Sequence, residues 1–288
     1  MCGTLDQIKK GFYRKASLDA FFFTMKKLVN IEDNIKFGST GSRDLSGDLF
    51  YPPEGETNGS AIVIIHGGGW REGDKDQLHG YGILLARAGF TCLTATYRLS
   101  QEEIWPAQIQ DVNCAIRYLR ANSDTLKIDP NRIGVTGNSA GGHLSLMAAL
   151  SDIDPSFEGE GGNNHVTSEV KAVCAIYPPA QVRKYEDTDA IFDAYKALMG
   201  HEASQDDFDK ASPILQITKE FPPTMLIHGS TDSVVKLSDS TDLYTKLTDL
   251  AIPTELHIFS EEEHAFDSQS GYGRSIAELQ NLFFSKYL

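Results

Sequence analysis

The feature that most constrains this chain is an alternation, from Ala61 onward, of short β-branched apolar runs with segments of helical periodicity. The apolar runs predict strands at residues 61–65, 90–95, 132–136, 170–176, 224–228 and 254–259. The helical segments cover residues 80–88, 106–122, 140–150, 237–250 and 276–287. Strands that alternate with helices form a mostly parallel sheet covered on both faces, so the sequence predicts an α/β fold.

Two segments before Ala61 follow other patterns. In residues 5–29, apolar side chains recur every three or four positions, which predicts a helix with one apolar face. We interpret the segment 1–32 as a candidate lid over the body or over a pocket mouth. Residues 44–51 alternate polar and apolar side chains, as a half-exposed edge strand does.

Two long insertions interrupt the alternation later in the chain. Residues 151–169 are rich in Gly, Asp, Asn and Glu, and residues 178–222 carry a helical patch near residues 189–198. Both follow strands at the sheet edge where α/β sites form, so we expect them to contribute a lid or cap. A chain of 288 residues with 41% hydrophobic side chains fits one α/β unit, which predicts a single catalytic domain at 33–288.

A candidate nucleophile is Ser139, in the sequence Gly137-Asn138-Ser139-Ala140-Gly141. The stretch fits G-x-S-x-G and lies between a predicted strand and a predicted helix, which is the context that this motif requires. The sharp turn exposes the hydroxyl, and small residues two before and two after it prevent collision with the neighbouring strand and helix. A serine that only caps the helix is the simpler alternative, and the glycine loop described next argues against it.

A candidate oxyanion hole follows the strand at 61–65, in the sequence HGGGW of residues 66–70. Three consecutive glycines let backbone N–H groups approach a ligand closely. Such donors stabilise the oxygen of an acyl group as it becomes negative. We predict N–H donors at Gly68 and Gly69, joined by Ala140 just after the nucleophile.

The candidate acid and base follow the nucleophile in the order Ser, Asp, His. Asp232 lies in the loop after the strand at 224–228, and His264 lies in the loop after the strand at 254–259. Because the carboxyl ends of parallel strands meet at one sheet edge, both side chains can reach Ser139. We therefore predict that His264 is the general base and that Asp232 fixes its tautomer.

The other side chains near these motifs have structural interpretations beside functional ones. His228 and His257 belong to predicted strands and are interpreted as packed or surface residues, and His66 as a tie between the glycine loop and nearby backbone. His143 falls one helical turn after the nucleophile, so it either lines the substrate pocket or packs there. Trp70 is either a wall of that pocket or plain loop packing. Trp70 and His143 are thus the candidate pocket residues.

Composition excludes several other functions. The formal net charge of −14 repels phosphate backbones, so we expect no nucleic-acid partner. No run approaches the ~18 apolar residues of a membrane helix and no signal peptide is recognised, so we expect a cytoplasmic protein without a membrane partner. The four cysteines form no C-x-x-C pair and the histidines lack metal-ligand spacing, so we expect no metal and no cofactor. A homo-oligomer stays open.

Together these motifs resemble α/β-hydrolase fold esterases, in the carbohydrate- and feruloyl-esterase-like branch close to the hormone-sensitive-lipase-like enzymes. The resemblance covers about residues 33–288. It is carried by HGGGW with Arg71-Glu72-Gly73-Asp74-Lys75, by Tyr97-Arg98-Leu99, by Trp105-Pro106-Ala107 with Asp111, and by GNSAGGH.

The resemblance implies an eight-stranded core, no metal or cofactor, and hydrolysis of small esters with short acyl groups, acetyl or aromatic. It also implies the triad and the oxyanion donors already predicted from the motifs. Asp111 is implied to be a structural acid that steadies the Tyr97-Arg98 loop. Asn138 is a departure, because many hormone-sensitive-lipase-like members have Asp or Glu at that position.

Two alternatives stay open beside a serine carboxylic-ester hydrolase. Kynurenine formamidases, which are arylformamidases, share an HGGGW-like loop and the same triad, so a formamide substrate fits the same residues. A non-catalytic binding protein on a hydrolase fold is the other alternative. Such proteins usually lose a member of the triad, whereas this sequence has a candidate for each role.

Overall fold

The computed structural model describes residues 28–150, 155–184 and 191–288, and these residues contain one eight-stranded sheet. The strands are β1 (Asn30–Ser39), β2 (Asp44–Tyr51), β3 (Ala61–Ile65), β4 (Thr91–Ala95), β5 (Ile133–Asn138), β6 (Ala172–Ile176), β7 (Thr224–Gly229) and β8 (Thr254–Phe259). Their order in the sheet is β1-β2-β4-β3-β5-β6-β7-β8. The β1–β2 and β2–β4 pairs are antiparallel, and the other pairs are parallel.

Helices connect most of these strands. Within the described residues they are α1 (His79–Arg87), α2 (Ala107–Ala121), α3 (Ser123–Leu126), α4 (Ala140–Ala148), α5 (Ile191–Met199), α6 (Gln205–Lys210), α7 (Pro213–Gln216), α8 (Leu237–Asp249) and α9 (Ser270–Tyr287). Short 3₁₀ helices cover Lys75–Leu78, Pro155–Phe157 and Phe266–Ser268. None of the described helices combines the length and the apolar character needed to span a membrane.

Alternate side chains of β3 enter two different apolar layers. Val63 and Ile65 belong to a cluster that includes side chains of α2, α4 and α8. Ile62 and Ile64 belong to a second cluster that includes side chains of α1 and α9. Every residue of β3 is buried, as expected for a central parallel strand with helices on both faces. The predicted α/β fold is confirmed, and so is the number of strands that the resemblance implied.

The prediction that residues 44–51 form an edge strand is wrong. β2 lies between β1 and β4, and it is β1 that forms the edge of the sheet. The alternation of polar and apolar residues predicted solvent exposure at the polar positions, but one of these residues, Asp48, is a fully buried carboxylate. Asp48 accepts a hydrogen bond from the Asn34 N–H at 2.6 Å and pairs with Lys75 and His79. A satisfied buried acid is indistinguishable from a solvated one in a sequence pattern.

Other elements differ from the prediction in their extent. The insertion at 178–222 contains α5, α6 and α7, of which only α5 was signalled by a helical patch. The last helix begins at Ser270 rather than at residue 276, because its first turn carries polar residues without apolar periodicity. The predicted N-terminal helix at 5–29 lies almost wholly in residues 1–27, outside the described residues, and so do residues 151–154 of the first insertion.

Candidate active site

Ser139 occupies the turn between β5 and α4 in a strained backbone conformation. Its φ of 52° and ψ of −120° belong to a region that residues other than glycine rarely adopt. A Cβ at Gly137 would lie 2.5 Å from the carbonyl oxygen of Ile65, and one at Gly141 would overlap the same oxygen. The turn therefore packs directly against the end of β3, and only glycine fits at these two positions.

The three predicted triad residues meet at the carboxyl edge of the sheet. The Ser139 hydroxyl donates to Nε2 of His264 at 3.0 Å, and Nδ1–H of His264 donates to Oδ2 of Asp232 at 2.7 Å. They come from the loops after β5, β8 and β7 respectively. In this tautomer the imidazole presents a free lone pair to the hydroxyl proton, as a general base must.

Asp232 is oriented by more than the histidine. Its Oδ1 accepts hydrogen bonds from the N–H groups of Val234 at 2.9 Å and Val235 at 2.8 Å. On the other side, Nε2 of His228 lies 3.4 Å from Oδ2. Burial alone would raise the pKa of Asp232, but hydrogen bonds from His228, His264 and the Val235 N–H outweigh it and hold the pKa well below its usual range. The carboxylate is therefore ionised and held in one orientation.

The glycine loop passes directly beside the nucleophile. A Cβ at Gly67 would lie 3.3 Å from the Cβ of Ser139. Gly68 has a φ of 106°, and a Cβ there would overlap the carbonyl oxygen of Glu72, so only glycine fits. Nδ1–H of His66 donates to the carbonyl oxygen of Gly67 at 2.7 Å, which is the tie to backbone that the sequence predicted for this histidine.

The predicted oxyanion donors are Gly68, Gly69 and Ala140. Within the described part of the chain, we find no hydrogen bond from the N–H groups of these residues to a protein acceptor. N–H groups that are not bonded to a protein acceptor can donate to water or to a ligand. Their role as oxyanion donors stays a prediction, which their place beside Ser139 supports.

A cavity of about 830 Å³ opens over Ser139 and His264. Its lining includes the apolar side chains of Trp70, Ile191 and Ala194. It also includes polar and charged side chains, among them Gln77, Tyr81, Asp267, Ser268, Ser270 and Arg274. A site lined by both apolar and polar side chains suits an ester whose acyl group is apolar and whose alcohol is polar.

The two candidate pocket residues have different positions. Trp70 lies in the cavity wall. His143 is fully buried and does not line the cavity, because its ring packs behind Trp70, with ring centroids 5.1 Å apart. Nε2–H of His143 donates to the carbonyl oxygen of Ala211 at 2.8 Å. The structure thus supports the packing interpretation of His143 and not the pocket interpretation.

Burial of His143 predicts a pH-dependent stability. Burial lowers the pKa of His143 to about 4, and the hydrogen bond to Ala211 only partly opposes this. The unfolded chain therefore binds this proton more readily, so stability falls as the pH drops from about 6.5 to about 4, by up to about 3 kcal/mol. His143→Gln keeps a side-chain donor for Ala211 but does not titrate. We expect the Tm of this variant to fall less between pH 7 and pH 4.5 than the wild-type Tm, and equal falls would refute the assignment.

One group of side chains in the described residues has the spacing of metal ligands. Asp48, Asp76 and His79 place three ligand atoms within 4.8 Å of one another. The ammonium of Lys75, however, lies 2.8 Å from Asp48 and 2.9 Å from Asp76. A lysine thus occupies the place of a cation, and the group is an ion-pair cluster that ties the segment after the glycine loop to β2.

Three side chains close to the triad are not among the site residues predicted from the sequence. His228 is predicted to be structural, and it also contacts the carboxylate of Asp232. Tyr177 packs its ring against His264, with centroids 4.6 Å apart, and its hydroxyl donates to Asp267. No spacing rule links Tyr177 to the motifs, because its contacts with His264 and Asp267 join segments that are distant in sequence. His228 lies only four residues before Asp232, but its position in a buried strand favours a structural interpretation.

Comparison with known proteins identifies related chains. The sequence model of the BD-FAE family matches residues 47–247. Esterase LipC of Mycobacterium tuberculosis is 34% identical over 197 residues, which is 65% of this chain and 47% of that protein. The probable carboxylic ester hydrolase LipM of the same organism is 29% identical over 247 residues, which is 82% of this chain and 56% of that protein. The chain spans about half the length of these curated relatives.

Solved structures agree on the fold. A truncated form of a carbohydrate esterase from gut microbiota superposes with a TM-score of 0.76 at 28% identity, covering 91% of this chain and 99% of that one. Esterase 2 of Thermogutta terrifontis, phosphoramylated by tabun, superposes with a TM-score of 0.76 at 22% identity, covering 91% and 95%. At that identity the second likeness shows the fold alone.

Proposed function

This chain belongs to the BD-FAE family and has the α/β-hydrolase fold, and from this premise we propose that it is a serine carboxylic-ester hydrolase. The observation that carries the proposal is the hydrogen-bonded chain from the Ser139 hydroxyl through His264 to Asp232, which opens into a cavity of about 830 Å³. The names of the relatives, which are esterases and a carbohydrate esterase, support the same reaction.

In the proposed reaction, Ser139 Oγ attacks the acyl carbon while His264 Nε2 takes its proton. The carbonyl oxygen becomes negative and faces the N–H groups of Gly68, Gly69 and Ala140. The imidazolium, stabilised by Asp232, gives the proton to the departing alcohol as the carbon–oxygen bond breaks. A water molecule, deprotonated by His264, then attacks the acyl carbon. As the bond from this carbon to Ser139 Oγ breaks, the carboxylic acid leaves and His264 returns the proton to Oγ.

The proposed substrates are small esters with a short acyl group, acetyl or aromatic. Support comes from the position of Ala194 close to the glycine loop, where a Cβ at Gly69 would lie 3.4 Å from the Cβ of Ala194. Ala194 occupies space beside the predicted oxyanion donors, which favours a short acyl group. The polar lining residues Gln77, Ser268 and Ser270 favour a hydroxylated alcohol.

A substrate panel tests the proposal. We expect the protein to hydrolyse at least one of p-nitrophenyl acetate, acetylated xylose and methyl ferulate. Among p-nitrophenyl esters, the acetyl and butyryl esters should be hydrolysed at least about tenfold faster than the decanoyl ester. N-formylkynurenine in the same assay examines the arylformamidase alternative, which no feature of the cavity favours. A preference for the formamide by orders of magnitude would replace the proposal.

Three further points concern the location, the assembly and the catalytic character of the protein. A cytoplasmic location stays a prediction from the sequence, and a homo-oligomeric assembly stays open. The alternative of a non-catalytic binding protein conflicts with the complete hydrogen-bonded chain at Ser139.

A further inference from the structure

A buried carboxylate that the proposed reaction does not use lies next to the triad. Asp267, in the 3₁₀ helix Phe266–Ser268, is 6% exposed. It accepts hydrogen bonds from the hydroxyl of Tyr177, from the hydroxyl of Tyr81 at 3.2 Å and from Nδ2 of Asn138 at 3.2 Å. These donors come from the end of β6, from α1 and from the end of β5, so one side chain connects three elements.

Both tyrosines are fixed donors to this carboxylate. Burial, together with the negative charge of Asp267, raises the pKa of Tyr81 and that of Tyr177 well above their usual value. Their hydroxyls therefore stay protonated at any pH at which the protein is assayed. The hydroxyl of Tyr177 also accepts a hydrogen bond from Nδ2 of Asn138 at 3.1 Å, which closes a ring of contacts.

The ring of contacts joins the two catalytic loops. Asn138 directly precedes Ser139, and Asp267 follows His264 by three residues. Both loops have backbone strain close to this point, with a φ of 52° at Ser139 and of 61° at Ala265. Strained backbone persists only where surrounding contacts hold it. The hydrogen bond from Asn138 to Asp267 connects the loop that carries His264 to the residue next to the nucleophile.

We propose that Asp267 is a positioning residue that holds the His264 loop in register with the Ser139 turn through the pair it forms with Asn138. The proposal rests on the proposed function, because register between the two loops matters only if the base must reach the hydroxyl. A misplacement of about 1 Å between reacting groups costs about 100-fold in rate.

The geometry also explains why position 138 carries an amide rather than an acid. The amide nitrogen of Asn138 lies 3.2 Å from Oδ2 of Asp267, so an acid at position 138 would place a carboxylate oxygen close to that position. Two carboxylates this close repel each other when both are ionised. The pair therefore accommodates one acid and one amide donor. It follows that exchanging the two residues should preserve the contact, whereas changing either one alone should break it.

The test compares Asn138→Asp, Asp267→Asn and the double exchange, with p-nitrophenyl acetate as substrate. We expect each single variant to lower kcat by about tenfold or more with KM changed less than about threefold. The double variant should recover kcat to within about threefold of the wild type, because the carboxylate introduced at position 138 then accepts from the amide introduced at position 267 and from the hydroxyl of Tyr177. A merely structural role would lower the Tm of the singles without this pattern in kcat.

Two further variants separate a loss of positioning from a general loss of stability. Asp239→Asn changes another buried, hydrogen-bonded carboxylate that does not line the cavity, so it should lower Tm and leave kcat within about twofold. Tyr177→Phe removes one donor without changing charge and should lower kcat about threefold or more.

Wild-type kcat in Asp267→Asn or in Tyr177→Phe would overturn the proposal, and so would a folded double variant no faster than the slower single. Failure of the proposed function is a different result, namely a wild-type protein that hydrolyses none of the esters.

Discussion

Replacing Ser139 with alanine is expected to lower kcat for a short acyl ester by about 10⁶-fold, leaving only the acceleration that binding and backbone donors provide. The physical reason is that the hydroxyl oxygen forms the bond to the acyl carbon, and no neighbouring side chain can replace it. The variant should fold normally, since the one hydrogen bond from this side chain within the described residues is that to His264. The measurement is steady-state hydrolysis of p-nitrophenyl acetate by wild type and variant, with Tm as the check on folding.

Ser275→Ala is the matched control for this change. Ser275 is an exposed serine on α9 outside the cavity, where its hydroxyl donates to the carbonyl oxygen of Gly271. Its removal should leave kcat within about twofold of wild type. Hydrolysis by Ser139→Ala at a rate near that of the wild type would mean that another group attacks the ester, and the mechanism would have to be abandoned.

The second large effect is expected for Asp232→Asn, which should lower kcat by about 10⁴-fold. The N–H groups of Val234 and Val235 require an oxygen at the Oδ1 position, so the new amide nitrogen must occupy the Oδ2 position that faces His264. An N–H at that place forces Nδ1 of His264 to accept, which moves its proton to Nε2. The imidazole then has no lone pair for the Ser139 proton.

Asp242→Asn provides the comparison for Asp232→Asn. Asp242 is an exposed acid on α8, and its neutralisation should change kcat by less than about twofold. Both variants are measured with p-nitrophenyl acetate at the same pH, with Tm recorded for each. If Asp232→Asn retained more than about one tenth of wild-type kcat while folded, the carboxylate would not be fixing the tautomer.

The local motifs were predictable from sequence because their chemistry is local. A strand-to-helix turn that exposes a serine packs closely against the neighbouring strand, which requires small residues two before and two after the serine. In this structure Gly137 and Gly141 pack against the carbonyl oxygen of Ile65. The glycine loop is similar, since a φ of 106° at Gly68 admits only glycine. The places of Asp232 and His264 followed from strand order, because parallel strands bring their carboxyl ends to one edge.

The features that could not be predicted depend on contacts between distant segments. Tyr81 and Asn138 reach Asp267 across 186 and 129 residues of sequence, and no spacing rule connects them. The sequence predicts β2 at the edge of the sheet because an alternation of polar and apolar residues suggests one solvated face. It cannot show that the polar residue Asp48 is buried and paired with Lys75. The sequence allowed both a pocket and a packing interpretation of His143, since a place one helical turn after the nucleophile does not show whether the side chain reaches the cavity or packs behind its wall.

Covalent modification by a small fluorophosphonate tests most directly whether Ser139 is an activated nucleophile. The reagent reacts with a serine whose proton is removed by a neighbouring base, so we predict one adduct per chain, in the tryptic peptide 133–171 and at Ser139 on fragmentation. Labelling should be absent in Ser139→Ala and much slower in Asp232→Asn. A folded protein that hydrolyses esters but carries no adduct, or carries it at another residue, would contradict the account.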